Sequence, residues 1–122
     1  MSWRASIACL LLLCIGTQVA KAEVSILTCQ FPNFRSPVII TVYDDGSSAR
    51  MGVEQGVGSR TQASFDNLTG AWIFVEFAGY GPFSLTTVLR DGAAWHSRHT
   101  LGVDGSLLAS QVQGTCQRRS VR

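Results

Sequence analysis

The sequence predicts an all-β domain: a small antiparallel meander closing into an up-and-down barrel of about eight strands, with one disulfide joining its ends. Three observations lead there. Asp-Gly recurs in Asp44-Asp45-Gly46, Arg90-Asp91-Gly92 and Val103-Asp104-Gly105, each between alternating or β-branched runs. Glycine takes the positive φ that a hairpin turn demands and aspartate tolerates it, so each triplet marks a hairpin. No useful helical periodicity occurs after residue 22, and Cys29 and Cys116 stand near the two ends of the strand-forming region.

Residues 1–22, MSWRASIACLLLLCIGTQVAKA, read as a signal peptide. Arg4 supplies the positive start, Ala5 to Ile15 the apolar run, and Ala20-Lys21-Ala22 a small-x-small cleavage site. The run falls short of the ~20 apolar residues of a membrane span. Neither Cys9 nor Cys14 follows the Leu-then-small pattern of a lipoprotein, so no membrane anchor is expected. The expected product is periplasmic or extracellular, cleaved near Ala22, with residues 23–122 forming one domain.

Within it, eight runs suit strands: VSILTCQF, PVIITVY, SARMGV, TQASF, AWIFVEFA, FSLTTVL, AAWHSRHTL and LLASQVQGT. Between them, DNLTG at 66–70 and GYGP at 79–82 add turns, and the glycine-rich EQGVGSR at 54–60 reads as a mobile loop. The sequon Asn67-Leu68-Thr69 falls in one of these turns and is read as chance. The end, 117–122, reads as a frayed basic tail.

Cleavage changes the charge. Of ten basic residues, Arg4 and Lys21 leave, so eight arginines face eight acidic residues and the net charge is zero. No basic stripe or nucleic-acid motif accompanies it, and nucleic acid is not an expected partner. Cys9 and Cys14 leave too, so Cys29 and Cys116 remain as an even pair, which in an exported chain reads as a disulfide.

Both histidines lie in HSRHT at 96–100. Side chains alternate along a strand, so Trp95, Ser97 and His99 share one face while His96, Arg98 and Thr100 share the other. The two histidines cannot chelate one metal without a bulge, and neither a metal nor a cofactor is expected. A three-residue turn Arg90-Asp91-Gly92 pairs Thr87 with Trp95, Leu85 with Ser97 and Phe83 with His99. Burying the apolar side turns Trp95, Ser97 and His99 inward and leaves His96 and Arg98 as surface contacts. A two-residue turn Asp104-Gly105 then sets Leu108 opposite Leu101 and Ser110 opposite His99, and turns Val112, Gly114 and Cys116 inward.

Glu76 is a carboxylate in the middle of the apolar run AWIFVEFAGYGPF. A four-residue loop 79–82 places it opposite Leu85 on the inward face; a loop one residue longer or shorter puts it in solvent. In the first case Glu76, Thr87, Ser97 and His99 form a polar set in the barrel lumen, able to orient a polar ligand. Otherwise His99 is a core histidine satisfied by Ser110 or a backbone carbonyl. No catalytic residues are assigned. Asp44, Asp45, Asp91 and Asp104 are explained by turns, and Ser97 and His99 stand ~7 Å apart along one strand with no third group to orient them. No Gly-x-Ser-x-Gly elbow or phosphate-cradling loop occurs.

The layout, with a signal peptide, a cysteine on the first strand, a β-rich middle and a cysteine after the last strand, resembles the small periplasmic barrels of the lysozyme-inhibitor type. The resemblance implies an eight-stranded barrel that plugs the active-site cleft of a lysozyme-like enzyme. Ser47-Ser48-Ala49-Arg50 bears a slight resemblance to the family's Ser-Gly-Ala-Arg-Tyr loop, but lacks its glycine and has Met51 where the tyrosine is expected. No inhibitory residue carries over. The expected function is therefore an exported, non-enzymatic binding or inhibitor-like module of the bacterial envelope with a protein partner. A small-ligand binder using the lumen is the alternative, and a hydrolase-like enzyme the third.

Overall fold

The structure, a computed structural model, describes residues 21–77 and 83–121; most of the expected signal peptide, residues 1–20, and the expected turn at 79–82 lie outside the described residues. Eight strands follow one another: β1 (Glu23–Gln30), β2 (Val38–Tyr43), β3 (Ser48–Gly52), β4 (Ser59–Phe65), β5 (Trp72–Phe77), β6 (Phe83–Val88), β7 (Ala93–Leu101) and β8 (Leu107–Ser120). Each pairs antiparallel with its neighbour in sequence, and β8 pairs with β1 to close the barrel. The expected fold class is what forms.

Alternate residues point inward, and the interior is filled rather than hollow. Leu27, Ile40, Val42 and Phe74 are fully buried, packed with Met51, Trp72, Val88 and Phe31. An eight-stranded barrel has room for little more than side chains. Burying Phe74 alone is worth about 1.5–3 kcal/mol. The bulk of these residues is balanced by small ones at other inward positions: Ala49, Ala63, Ala94, Ser84 and Gly114.

Gly114 shows how tight the packing is. A Cβ there would lie 2.1 Å from the Gln30 carbonyl oxygen and 2.6 Å from the Phe31 ring, where β8 crosses the end of β1. Next to it, Cys29 and Cys116 occupy paired positions on β1 and β8 and form the disulfide, with Cα atoms 4.0 Å apart at a sequence separation of 87. The bridge clips the seam where the first and last strands meet.

The hairpin turns follow the Asp-Gly pattern, with one register corrected. At Arg90-Asp91-Gly92 the Leu89 amide donates to the Ala93 carbonyl, and Gly92 has φ of 92°, a left-handed conformation that suits glycine. The paired residues Thr87–Trp95, Leu85–Ser97 and Phe83–His99 match the expected register. The β7–β8 turn is instead a three-residue loop, Val103-Asp104-Gly105, because the Gly102 amide donates to Ser106. Leu101 therefore faces Leu107, and His99 faces Ala109 rather than Ser110.

Strand β8 corrects the expected frayed tail. It runs on through Ser120, with Gln117 to Ser120 paired against Thr28 to Ser25. Its first half pairs with β7 and its second half with β1, so the β7–β8 hairpin projects past the rim where β1 ends. The β3–β4 segment, the glycine-rich EQGVGSR, folds back over the outside of the barrel. Its Gly56 amide donates to Thr41 Oγ1 at 2.7 Å, and Gln55 bonds both Glu23 and Arg119. Beneath it the outward-facing Ile26 and Thr41 are buried.

Candidate functional site

The pairing of β5 with β6 brings Glu76 opposite Ser84, not Leu85, since Phe77 pairs with Phe83. On β6 the inward residues are Ser84, Thr86 and Val88; on β7 they are Ala94, His96, Arg98 and Thr100. The expected faces of β6 and β7 are therefore reversed. Thr87, Ser97 and His99 lie on the outer surface and form no lumenal set, and the expected contact residues His96 and Arg98 lie on the inner face. The reason is volume. Phe74, Trp72, Ile40 and Leu27 already fill the barrel, so the small residues of β6 and β7 turn inward and Leu85 and Trp95 are turned out. The two shifts compensate for Glu76, which remains on the inner face and is half-buried.

At this end of the barrel the inner face is polar. Thr86 Oγ1 and His96 Nδ1 are 2.8 Å apart, and Ser84 Oγ donates to Glu76 Oε1 at 3.1 Å. The rings of Phe31 and Phe34, from the segment after β1, close over His96 with centroids 5.7 and 5.4 Å from it. Burial holds the His96 pKa below the ordinary imidazole value; the Glu76 charge draws it up and the Arg98 charge pushes it down. The two hydroxyls are buried, and Glu76 bonds Ser84 rather than the imidazole. No hydroxyl is thus presented to an incoming substrate with His96 as its base and Glu76 orienting that base. Arg98 reaches the open rim and is exposed.

The opposite end holds a cavity of about 340 Å³, lined by Leu27, Phe65, Trp72, Val88, Arg90 and Arg118 among others, with Asp91 at its edge. The guanidinium of Arg118 lies 5.9 Å over the Trp72 ring and also donates to Ser25 Oγ. Trp72 Nε1 is buried and has no hydrogen-bond partner among the described residues. The size is at the small end of ligand pockets.

Outside the barrel, β5, β6 and β7 carry an apolar surface. Outward rows run Ile73–Thr87–Trp95, Val75–Leu85–Ser97 and Phe77–Phe83–His99. The Phe77 and Phe83 rings stack at 6.2 Å, and His99 meets Phe83 edge-on at 5.6 Å. Phe77 is 66% exposed, and Leu101 and Leu107 extend the apolar surface along the projecting hairpin. The two-sided apolar pattern of residues 71–78 points to an interface on β5, whereas sequence alternation assigns Leu85 and Trp95 to the inside and so misses the share of β6 and β7 in this face. Among the described residues, no three histidine, cysteine or acidic side chains gather as a metal site. No family model, curated protein or solved structure matches the chain.

Proposed function

We propose that the protein is an exported, non-enzymatic protein-binding module of the bacterial envelope, and that it binds through the outer face of β5, β6 and β7. One observation carries this reading. The barrel covers the apolar patch at Ile26 and Thr41 with its own β3–β4 segment, whereas Ile73, Phe77 and Phe83 on the other side stand open among the described residues. Contiguous exposed apolar surface with aromatic centres is the composition of a protein contact. The filled interior and buried hydroxyls favour this reading over a lumenal ligand or a hydrolase. The disulfide fits an oxidising compartment, as export requires.

The partner class follows from the layout resemblance: a lysozyme-like hydrolase whose cleft the barrel would occlude. The test is inhibition of lysozyme by the purified protein and by the double variant Phe77→Ser/Phe83→Ser. The reading predicts inhibition by the first and not the second. Equal inhibition by both would remove this face from the account, and inhibition by neither would remove the lysozyme partner.

A second reading rests on the end cavity. Arg90 and Arg118 beside Trp72 and Phe65 suit a small carboxylate with a flat apolar body. Quenching of tryptophan fluorescence by aromatic carboxylates, lost in Arg118→Ala, would support it; no response to such acids would dismiss it.

A further inference from the structure

Strand β8 has an open edge. Its pairing with β1 stops at Gln30–Thr115, because the chain leaves β1 there and crosses the barrel mouth with Phe31 and Phe34. Pairing with β7 continues to Leu101–Leu107. Hydrogen bonds from Gly102 to Ser106 and from Cys116 to Gly92 fix which residues bond toward β7. Antiparallel ladders alternate, so Leu108, Ser110, Val112 and Gly114 bond toward β7, while the N–H and C=O of Leu107, Ala109, Gln111 and Gln113 point to the free side. Among the described residues, no backbone or side-chain group bonds them. Leu107 to Gln111 and Gln113 are exposed.

Natural edge strands carry lysine, proline, a bulge or a covering segment to prevent pairing. This one has none of these: from Gly105 to Gln117 the chain contains no charge and no proline, and its pairing with β7 runs without a register shift. We infer that a second copy of this chain pairs with the edge, β8 to β8, forming a two-fold dimer with a continuous sheet across both β7–β8 hairpins.

The sequence fits that occupant. A two-fold axis at Ser110 pairs Leu107 with Gln113 and Ala109 with Gln111, so every free residue of both edges bonds, giving about eight hydrogen bonds between chains. Between them Leu108 meets Val112, and Ser110 meets Ser110. A shift by one pairing step in either direction leaves a free group unbonded and sets Leu108 or Val112 against Ser110. With no charge from Gly105 to Gln117, two identical edges meet without repulsion. Because the axis stands perpendicular to the sheet, both β5–β7 faces lie on the same side of the dimer.

The test is sedimentation velocity of the purified protein with the variants Gln111→Pro, Ser110→Cys and Gln113→Cys. The Gln111 amide serves only the free edge, so proline removes a dimer bond without breaking the ladder to β7; it should sediment as a folded monomer with a wild-type circular dichroism spectrum, while the wild type sediments as a dimer. Ser110→Cys brings two thiols together at a non-hydrogen-bonded pair, with Cα atoms ~4.5 Å apart, within disulfide reach. It should cross-link on air oxidation, and Gln113→Cys should not. A monomeric wild type, a dimeric Gln111→Pro, or equal cross-linking of the two cysteine variants would overturn the inference.

Discussion

Thr86 Oγ1 and His96 Nδ1 lie 2.8 Å apart on the inner face of the β6–β7 hairpin, beneath Phe31 and Phe34. The bond satisfies a hydroxyl that is almost wholly buried, and it ties the histidine to the barrel rather than to a solvent-facing site. What the sequence offers as a contact residue is a piece of the packing.

Stability should fall as pH drops through the histidine range. Burial lowers the His96 pKa in the folded state, so the unfolded chain takes up the proton first, at about 6.5. The contribution is fully present above that value and is lost as pH falls toward the folded pKa. Urea midpoints at pH ~7.5 and ~5 should therefore differ, and His96→Gln should reduce the difference. The lowered carboxyls of Asp45, Asp66 and Asp104 titrate below this window, so they do not obscure it.

Gly114→Ala should destabilise by about 1–3 kcal/mol, because its methyl meets the Gln30 carbonyl and the Phe31 ring, and β8 must move away from β1. Gly46→Asn is the comparison: φ there is 67° and nothing lies within 4 Å of an added Cβ. Asparagine tolerates that conformation, so the loss should be much smaller. Denaturant unfolding of both variants checks the difference.

Removing the disulfide by Cys29→Ala/Cys116→Ala should cost about 4 kcal/mol, since the bridge closes a loop of on the order of 90 residues in the unfolded chain. The two residues face one another on paired strands, so the loss should show first as faster amide exchange at the β1–β8 seam.

Eight strands, the turn at Gly92 and the Cys29–Cys116 bridge were legible because each rests on local chemistry: alternation, a positive-φ glycine, and an even cysteine pair. The facing of β6 and β7 was not legible. It depends on how much volume remains after Phe74 and Trp72 enter the barrel, and no short-range pattern encodes that sum. The histidines do face opposite sides, as their three-residue spacing requires, but the inward one is His96. The end of β8 was hidden for a related reason. Gln117 to Ser120 is too polar to read as a strand, yet β1 supplies its partner from the far end of the chain.

Binding of a protein partner by the outer face of β5, β6 and β7, as proposed, is read from the affinity for that partner. Wild-type protein immobilised against envelope extract should retain one partner at fixed stoichiometry. Isothermal titration with that partner should show Phe77→Ser/Phe83→Ser weakened by about 30-fold or more, as expected when central aromatic anchors are removed, with Arg60→Ser on β4 unchanged. Equal affinity of the wild type and the double variant would contradict it.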